Sequence, residues 1–292
     1  MKTNFLLMMI LCAVKTTAQL PDTDIFLADV KTEHGKISFG NPVNITNRKG
    51  YDNQPYFTPD SKSIFYVAVL DTTQSDIYKY DLMTKIKTRI TNTKESEYSP
   101  SYSPDMKTIT VVRVDSDAGQ RFYKLPINNT HNAELIKGTD AIGYYVWLND
   151  SMLAMFILGD AMSLQLLNIN THEKKLVASD IGRCLKLSND KKSLLFVIKQ
   201  NKTEWSIFKM DIASFILKRM VSTLKDNEDF AIMPDATLLM GSEGKLFQFN
   251  PDADVDWKEI ADFSTTLKSF YRITMSQKGD KIALVAYSGE KP

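Results

Sequence analysis

Short apolar runs, rich in β-branched and aromatic residues, recur along the chain between polar turns. The residue that opens the longest run of each unit recurs at intervals of 45, 44, 41, 44 and 44 residues, at Ile64, Ile109, Leu153, Leu194, Leu238 and Ile282. A second run ends in Asp, Asn or Pro and occurs at Ile77–Asp81, Phe122–Pro126, Leu166–Asn170, Ile207–Asp211 and Leu246–Asn250, with a further copy at Ile25–Asp29. Several short strands repeated at this period predict the blades of a β-propeller.

Each unit contains a turn just before its longest apolar run. In the first unit, Pro55–Thr58 predicts an inner strand, Pro59-Asp60 a turn and Ser63–Leu70 a buried strand. Pro fits the second position of a type I turn, and Asp hydrogen-bonds the backbone ahead of it. The turn recurs as Pro104-Asp105 and Pro234-Asp235, and in altered form as Leu148-Asn149, Asn189-Asp190 and Gln277-Lys278.

The last unit contains only two of its four strands, at about Lys268–Met275 and Lys281–Tyr287. The N-terminal segment offers the missing pair, with Thr23–Val30 as third strand and Pro42–Thr46 as fourth. Closing the ring in this way removes the exposed edges of an incomplete blade. We therefore predict an all-β fold: one six-bladed propeller of four-stranded antiparallel blades over residues 19–292, closed by N-terminal strands that complete the last blade.

Three segments carry a family resemblance: FTPDSKSIFY from Phe57, DIYKYDLMT from Asp76 and YSPDMKTITV from Tyr102. They resemble the propeller repeats of the periplasmic TolB protein and the related WD-like repeats, and the resemblance extends over residues 19–292. It implies a TolB-like propeller. TolB also has an N-terminal α/β domain, which we do not expect here, so the resemblance predicts a stand-alone propeller and specifies no activity.

The first 18 residues have the pattern of a signal peptide. Lys2 precedes an apolar run from Phe5 to Val14, and small residues up to Ala18 precede a cleavage position at Gln19. A run of this length is too short to cross a hydrocarbon core of about 30 Å as a helix. We expect cleavage, with no membrane span in the mature chain and a periplasmic or secreted location; a retained segment is the alternative.

Removal of Lys2 and Lys15 would leave 34 basic residues against 35 acidic ones. This balance gives no electrostatic basis for binding nucleic acid. Cys184 would be the one remaining cysteine, which excludes an internal disulfide in the mature chain. We expect the mature protein to be a monomer that is stabilised by packing alone.

The residue types that hold catalytic metals are sparse. The sequence places His34, His131 and His172 at or near the hairpins between third and fourth strands, far from one another, so we predict no histidine-based catalytic centre. Asp252, Asp254 and Asp256 have the alternate spacing of half a calcium loop, but no bidentate Glu follows at the required position. We predict no cofactor, with calcium as the alternative.

The segments that enter the six inner strands should meet at one mouth of the central channel. They supply the candidate binding residues Asp52, Asn53, Glu97, Tyr98, Asp140, Tyr144, Asp180, Glu228, Asp229 and Arg272. Clustered carboxylates attract cations or basic peptides, although Asp and Asn are also ordinary turn residues. We expect changes of Glu97, Glu228 and Asp229 to Lys to cost little stability, since exposed loop substitutions usually change it by less than about 0.5 kcal/mol.

The leading hypothesis is an exported, non-enzymatic scaffold that binds a protein or peptide of the cell envelope through this face. The alternative is a carbohydrate-active or calcium-dependent enzyme, or a sugar-binding module, that uses the carboxylates of the mouth. Tyr78, Tyr123, Phe208 and Phe247 recur at one position of the third strand and are predicted to be core residues.

Overall fold

A computed structural model describes residues 20–33, 36–70 and 74–288, and the regular elements within them are β-strands. The N-terminal strands are β1 (Thr23–Glu33), β2 (Lys36–Phe39) and β3 (Val43–Asn44). The first two complete blades are β4 (Tyr51–Phe57), β5 (Ser63–Val69), β6 (Asp76–Asp81) and β7 (Lys87–Arg89), then β8 (Ser96–Tyr102), β9 (Thr108–Val114), β10 (Gln120–Pro126) and β11 (Glu134–Leu135).

The remaining strands repeat this order. The third blade is β12 (Ile142–Trp147), β13 (Met152–Ile157), β14 (Ser163–Asn168) and β15 (Lys174–Ser179). The fourth is β16 (Ile181–Leu187), β17 (Ser193–Lys199), β18 (Trp205–Asp211) and β19 (Leu217–Ser222). The fifth is β20 (Phe230–Ile232), β21 (Leu238–Ser242), β22 (Lys245–Phe249) and β23 (Lys258–Asp262), and the chain ends with β24 (Phe270–Met275) and β25 (Lys281–Tyr287).

Sheet topology gives six blades. Blades two to five are separate four-stranded sheets. The other strands form one sheet, in which a single parallel pair, Thr23 with Tyr51, joins the first blade to a sixth made of β24, β25, β1 and β3. Within every blade the neighbouring strands are antiparallel, as in β4 with β5 and β5 with β6. The predicted six-bladed propeller is confirmed.

The predicted closure by the N-terminus is also confirmed. β1 pairs antiparallel with β25, from Thr23 opposite Tyr287 to Asp29 opposite Lys281. β3 completes the blade on the other side of β1, with Leu27 opposite Val43. The end of the predicted third strand is corrected, because β1 runs on to Glu33 and forms a hairpin with β2 beyond the blade.

The hydrophobic core is a ring of six clusters, one between each pair of adjacent blades. The cluster between the sixth and first blades joins Ile25 and Val285 to Ile64, so the two ends of the chain share one packed core. The six residues that define the repeat spacing are all at most 2% exposed, and each is the first or second residue of the second strand of a blade. Their regular spacing is therefore a packing requirement.

Two details of the repeat differ from the prediction. In the first blade Asp81, the last residue of the repeated run, lies opposite Ser63. The equivalent residue of the third blade is Asn168, which lies opposite Met152. The repeated run of the third blade is therefore residues 164–168 and not Leu166–Asn170. A slip of two residues preserves the inward face of a strand, which is why alternation alone did not detect it. Among the predicted core aromatics Tyr123 is buried, whereas Tyr78, Phe208 and Phe247 are only partly buried.

The turn between first and second strands is held by a hydroxyl and a carboxylate. Thr58 Oγ1 donates to Asp60 Oδ1 at 2.6 Å, and the amide of Lys62 donates to the same oxygen at 3.0 Å. Ser188 and Asp190 repeat both hydrogen bonds at 2.6 and 3.0 Å although Asn189 replaces the Pro. At these two turns the Ser/Thr-x-Asp pattern makes the same hydrogen bonds with or without the Pro.

Candidate binding site in the central channel

The inner strands of the six blades enclose a channel with a cavity volume of about 1140 Å³. Its lining extends from a polar cluster at Tyr144, Arg183, Asp229 and Arg272 to the turns between first and second strands, such as those at Pro59 and Pro234. The charged side chains of this lining are Arg183, Lys186, Lys191 and Arg272 against Asp150 and Asp229. The channel is therefore basic, in contrast to the acidic mouth inferred from the loops.

Three of the ten predicted site residues line the cavity: Tyr144, Asp229 and Arg272. The other seven do not contribute to its lining. Asp52, Asn53 and Glu97 are buried within the first two blades, and Tyr98 and Glu228 are partly buried. Asp140 and Asp180 are exposed on the connections before the third and fourth inner strands.

Arg183 and Arg272 are brought together around Asp229. Arg183 Nη2 pairs with Asp229 Oδ2, and Arg183 Nη1 lies 3.0 Å from Glu228 Oε1. Arg272 Nε lies 3.6 Å from Asp229 Oδ1, within ion-pair range but beyond a normal hydrogen bond. Lys199 Nζ lies 2.7 Å from Glu228 Oε2. Two carboxylates thus form ion pairs with three cations.

Tyrosines surround the two guanidinium groups. Arg272 Nη2 donates to Tyr144 Oη at 3.2 Å, and the Arg272 guanidinium lies 5.3 Å from the centre of the Tyr144 ring. The guanidinium of Arg183 lies 5.9 Å from the Tyr271 ring, whose hydroxyl accepts a 2.6 Å hydrogen bond from Asn53 Nδ2. Burial acts to lower the pKa of Arg272, but Tyr144 and Asp229 outweigh it and the pKa lies above its usual value, so this group stays charged.

Asp52, Glu97 and Asp140 of the predicted mouth have local partners. Arg48 Nη2 lies 2.7 Å from Asp52 Oδ1, and Arg121 Nε lies 3.1 Å from Asp140 Oδ1. Thr93 donates a hydrogen bond to Glu97 Oε1, whereas Glu97 Oε2 is buried without a hydrogen-bond partner in the described structure. Burial raises the pKa of Glu97 to about 7 and that of Asp52 to about 6. These carboxylates do not converge on a common point.

The predicted histidines and the calcium-like loop lie outside this cluster. His131 and His172 occupy turns between third and fourth strands, as predicted, and His34 lies outside the described residues. In the loop, Asp254 Oδ2 accepts a 2.8 Å hydrogen bond from the amide of Asn250, and Asp254 Oδ1 lies 2.5 Å from Lys258 Nζ. Within the described ranges no three His, Cys, Asp or Glu residues form a group that could hold a metal ion.

The ten candidate binding residues include Asp180 from the segment that enters the fourth inner strand but leave out Arg183 of the same segment, and Lys186 was missed altogether as a channel residue. Arg183 and Lys186 lie on β16, whose register with β17 shifts between Ile181 and Leu185, so ideal side-chain alternation does not hold through Arg183. An inner strand that carries two basic residues among apolar neighbours was the available signal. Loop composition drew attention to Asp180 instead.

Neither a family model nor a curated protein matches the chain. Among the described residues no helix is long and apolar enough to cross a membrane.

Solved structures with the same architecture do match. TolB from Acinetobacter baumannii superimposes with a TM-score of 0.59 at 17% identity, over 92% of this chain and 65% of that one. A protein assigned as TolB from Agrobacterium tumefaciens gives 0.69 at 11% identity, over 93% and 100%. A chain of a nidogen/laminin complex gives 0.62 at 12% identity, over 92% and 100%. This protein spans 65% of the Acinetobacter chain, and its fold is a six-bladed β-propeller similar to that of TolB.

Proposed function

We propose that this protein is an exported, non-enzymatic propeller that binds a peptide segment of a cell-envelope protein in its central channel. The observation that carries the proposal is the channel itself, with a volume of about 1140 Å³. Pockets for small molecules usually measure about 300–1,000 Å³, so this cavity can accept a longer ligand. The partner in the nidogen/laminin structure is likewise a protein, which is consistent with a binding role for this fold.

The chemistry of the lining suits a peptide. Tyr102 and Tyr145 offer partly exposed aromatic surface, and Arg183 and Arg272 offer charged donors at one end. Aromatic residues and Arg are the types that dominate binding energy at protein interfaces. This choice replaces the acidic mouth as the physical basis of binding, because the carboxylates of that mouth other than exposed Asp180 are buried or paired with cations.

Filling the channel tests the proposal. Thr274 lies on β24 and lines the cavity, and Thr265 is exposed on the connection that precedes β24. Residues 19–292 and the variants Thr274→Trp and Thr265→Trp serve as matched baits for cross-linking in envelope extract of the source organism. We expect Thr274→Trp to lose a partner that the wild type and Thr265→Trp retain. Retention by Thr274→Trp would place binding outside the channel.

Export has its own test. Residues 1–18 lie outside the described structure, and the signal-peptide pattern motivates the proposal. Mass spectrometry of the protein from the extracytoplasmic fraction should give an N-terminus close to Gln19. Recovery of chains that begin at Met1 in that soluble fraction would contradict cleavage.

A further inference from the structure

We propose that Arg183 and Arg272 form a subsite of the channel that binds a carboxylate of the peptide ligand, either an acidic side chain or a C-terminal carboxylate. This inference rests on the proposed peptide binding and adds the chemical identity of the group that the channel recognises. It reverses the earlier expectation of a basic partner.

Unused hydrogen-bond donors are the first argument. A guanidinium has five N–H donors, and buried donors without partners are costly. The Nε atoms of both Arg183 and Arg272 are buried without a hydrogen-bond partner in the described structure. Within the described residues, the Arg272 guanidinium donates one hydrogen bond, to Tyr144. Its side chain is only 12% exposed, so water satisfies little of the deficit.

Charge is the second argument. Arg183, Arg272 and Lys199 are served by Asp229 and Glu228, each of which is shared between two cations. The cluster therefore has one positive charge in excess. A buried charge is stable when it is paired and hydrogen-bonded, and a ligand carboxylate would supply the third anion.

The shape of the donors is the third argument. Arg presents a planar fork that matches both oxygens of a carboxylate. The hydroxyl of Tyr144 accepts from Arg272, which leaves its own proton available for an anion in the channel. Partly exposed Tyr102 and Tyr145 also line the cavity and can contact the rest of a peptide. A sugar acid also carries a carboxylate; we favour a peptide because Arg and aromatic residues dominate binding energy at protein interfaces.

The test uses four defined probes and isothermal titration calorimetry on residues 19–292. The probes are acetylated tetraglutamate amide, acetylated tetra-alanine with a free C-terminal carboxylate, acetylated tetraglutamine amide, and trigalacturonate. The first two separate side-chain from C-terminal recognition, and the third is the uncharged control. The variants are Arg272→Gln, Arg272→Lys and Arg183→Gln, with Arg121→Gln as matched control, because Arg121 pairs with Asp117 and Asp140 outside the channel lining.

We expect at least one carboxylate peptide to bind, and to weaken by about tenfold or more in Arg272→Gln and Arg183→Gln, as for the loss of a charge-assisted hydrogen bond. Arg272→Lys should have an intermediate effect, and Arg121→Gln none. Circular dichroism checks that each variant is folded; Arg183→Gln, at a side chain 29% exposed, keeps the test valid if Arg272→Gln unfolds.

Each contrary outcome has a distinct meaning. If tetraglutamine amide binds as tightly as the carboxylate peptides and the arginine variants match Arg121→Gln, the subsite is wrong while peptide binding in the channel survives. If trigalacturonate alone binds, the commitment to a peptide is overturned. If no probe binds, the subsite is rejected, and the Thr274→Trp comparison judges the channel separately.

Discussion

Residue by residue, the inner strands hold carboxylates in environments that change their acidity. Glu97 on β8 is 0% exposed, and burial raises its pKa to about 7 from the ordinary value of 4.5. The folded state therefore holds the proton more tightly than the unfolded state does. Between pH 4.5 and pH 7 the unfolded chain has released this proton and the folded chain has not, so this residue makes the free energy of unfolding fall as the pH rises.

Replacing Glu97 by Gln should flatten that dependence. At pH 8 we expect Glu97→Gln to have a free energy of unfolding higher than that of the wild type by on the order of 2 kcal/mol, because one pKa unit corresponds to about 1.4 kcal/mol. Its urea midpoint should rise accordingly. At pH 4.5 the advantage should disappear. Urea titrations at both pH values provide the measurement, with exposed Glu134→Gln as control. An equal effect of Glu97→Gln at the two pH values would show that Glu97 is not protonated on folding.

Asp229 supports a second residue-scale prediction. It is 5% exposed and pairs with Arg183 and Arg272, and removal of one partner from a buried ion pair costs about 3–5 kcal/mol. Asp229→Lys should lose at least that much stability in thermal or urea unfolding, whereas exposed Asp252→Lys should change it by less than about 0.5 kcal/mol. The sequence had suggested that the reversal at Asp229 costs little stability; a small effect comparable to that of Asp252→Lys would restore that view.

At the scale of the strands, the sequence predicted the positions that packing requires to be apolar in every blade. The six apolar residues at the start of the second strands all became core, because a blade of fixed thickness demands an apolar side chain there. The register of β14 was misplaced by two residues, since alternation has a period of two and cannot distinguish that slip. The turn at Asn189-Asp190 was judged altered, although its Ser188 and Asp190 keep the hydrogen bonds of the first turn.

Strand β1 carries the element-scale prediction. Ile25 is 0% exposed and packs in the cluster that joins the sixth blade to the first. Ile25→Ala should destabilise the protein by about 2–5 kcal/mol, as for other buried Ile-to-Ala changes. Lys31→Ala, at an exposed position of the same strand, should have an effect below about 0.5 kcal/mol. Similar midpoints for the two variants in urea unfolding would mean that β1 does not close the ring.

Across the whole molecule, six core clusters and a shared terminal blade make one closed ring around a basic channel. Closure was predictable because the last repeat unit lacked two strands and the N-terminal segment contained two predicted strands outside the other units. The channel site was predictable only in part, since Arg183 and Arg272 meet through the closure of the ring and not through any local motif. Loop composition identified the acidic residues on the connections that enter the inner strands. Their burial and their arginine partners depend on residues that the fold brings near them.

The central claim is that the ligand enters the channel, and site-specific photo-cross-linking tests it most directly. A benzophenone amino acid is placed in separate variants at Lys186 in the channel lining, at exposed Asp180 before β16, and at exposed Lys218 on outer strand β19. After irradiation in envelope extract, the account predicts a peptide adduct of one partner at position 186, and none at position 218. Adducts of that partner at position 180 or 218, with none at 186, would contradict it.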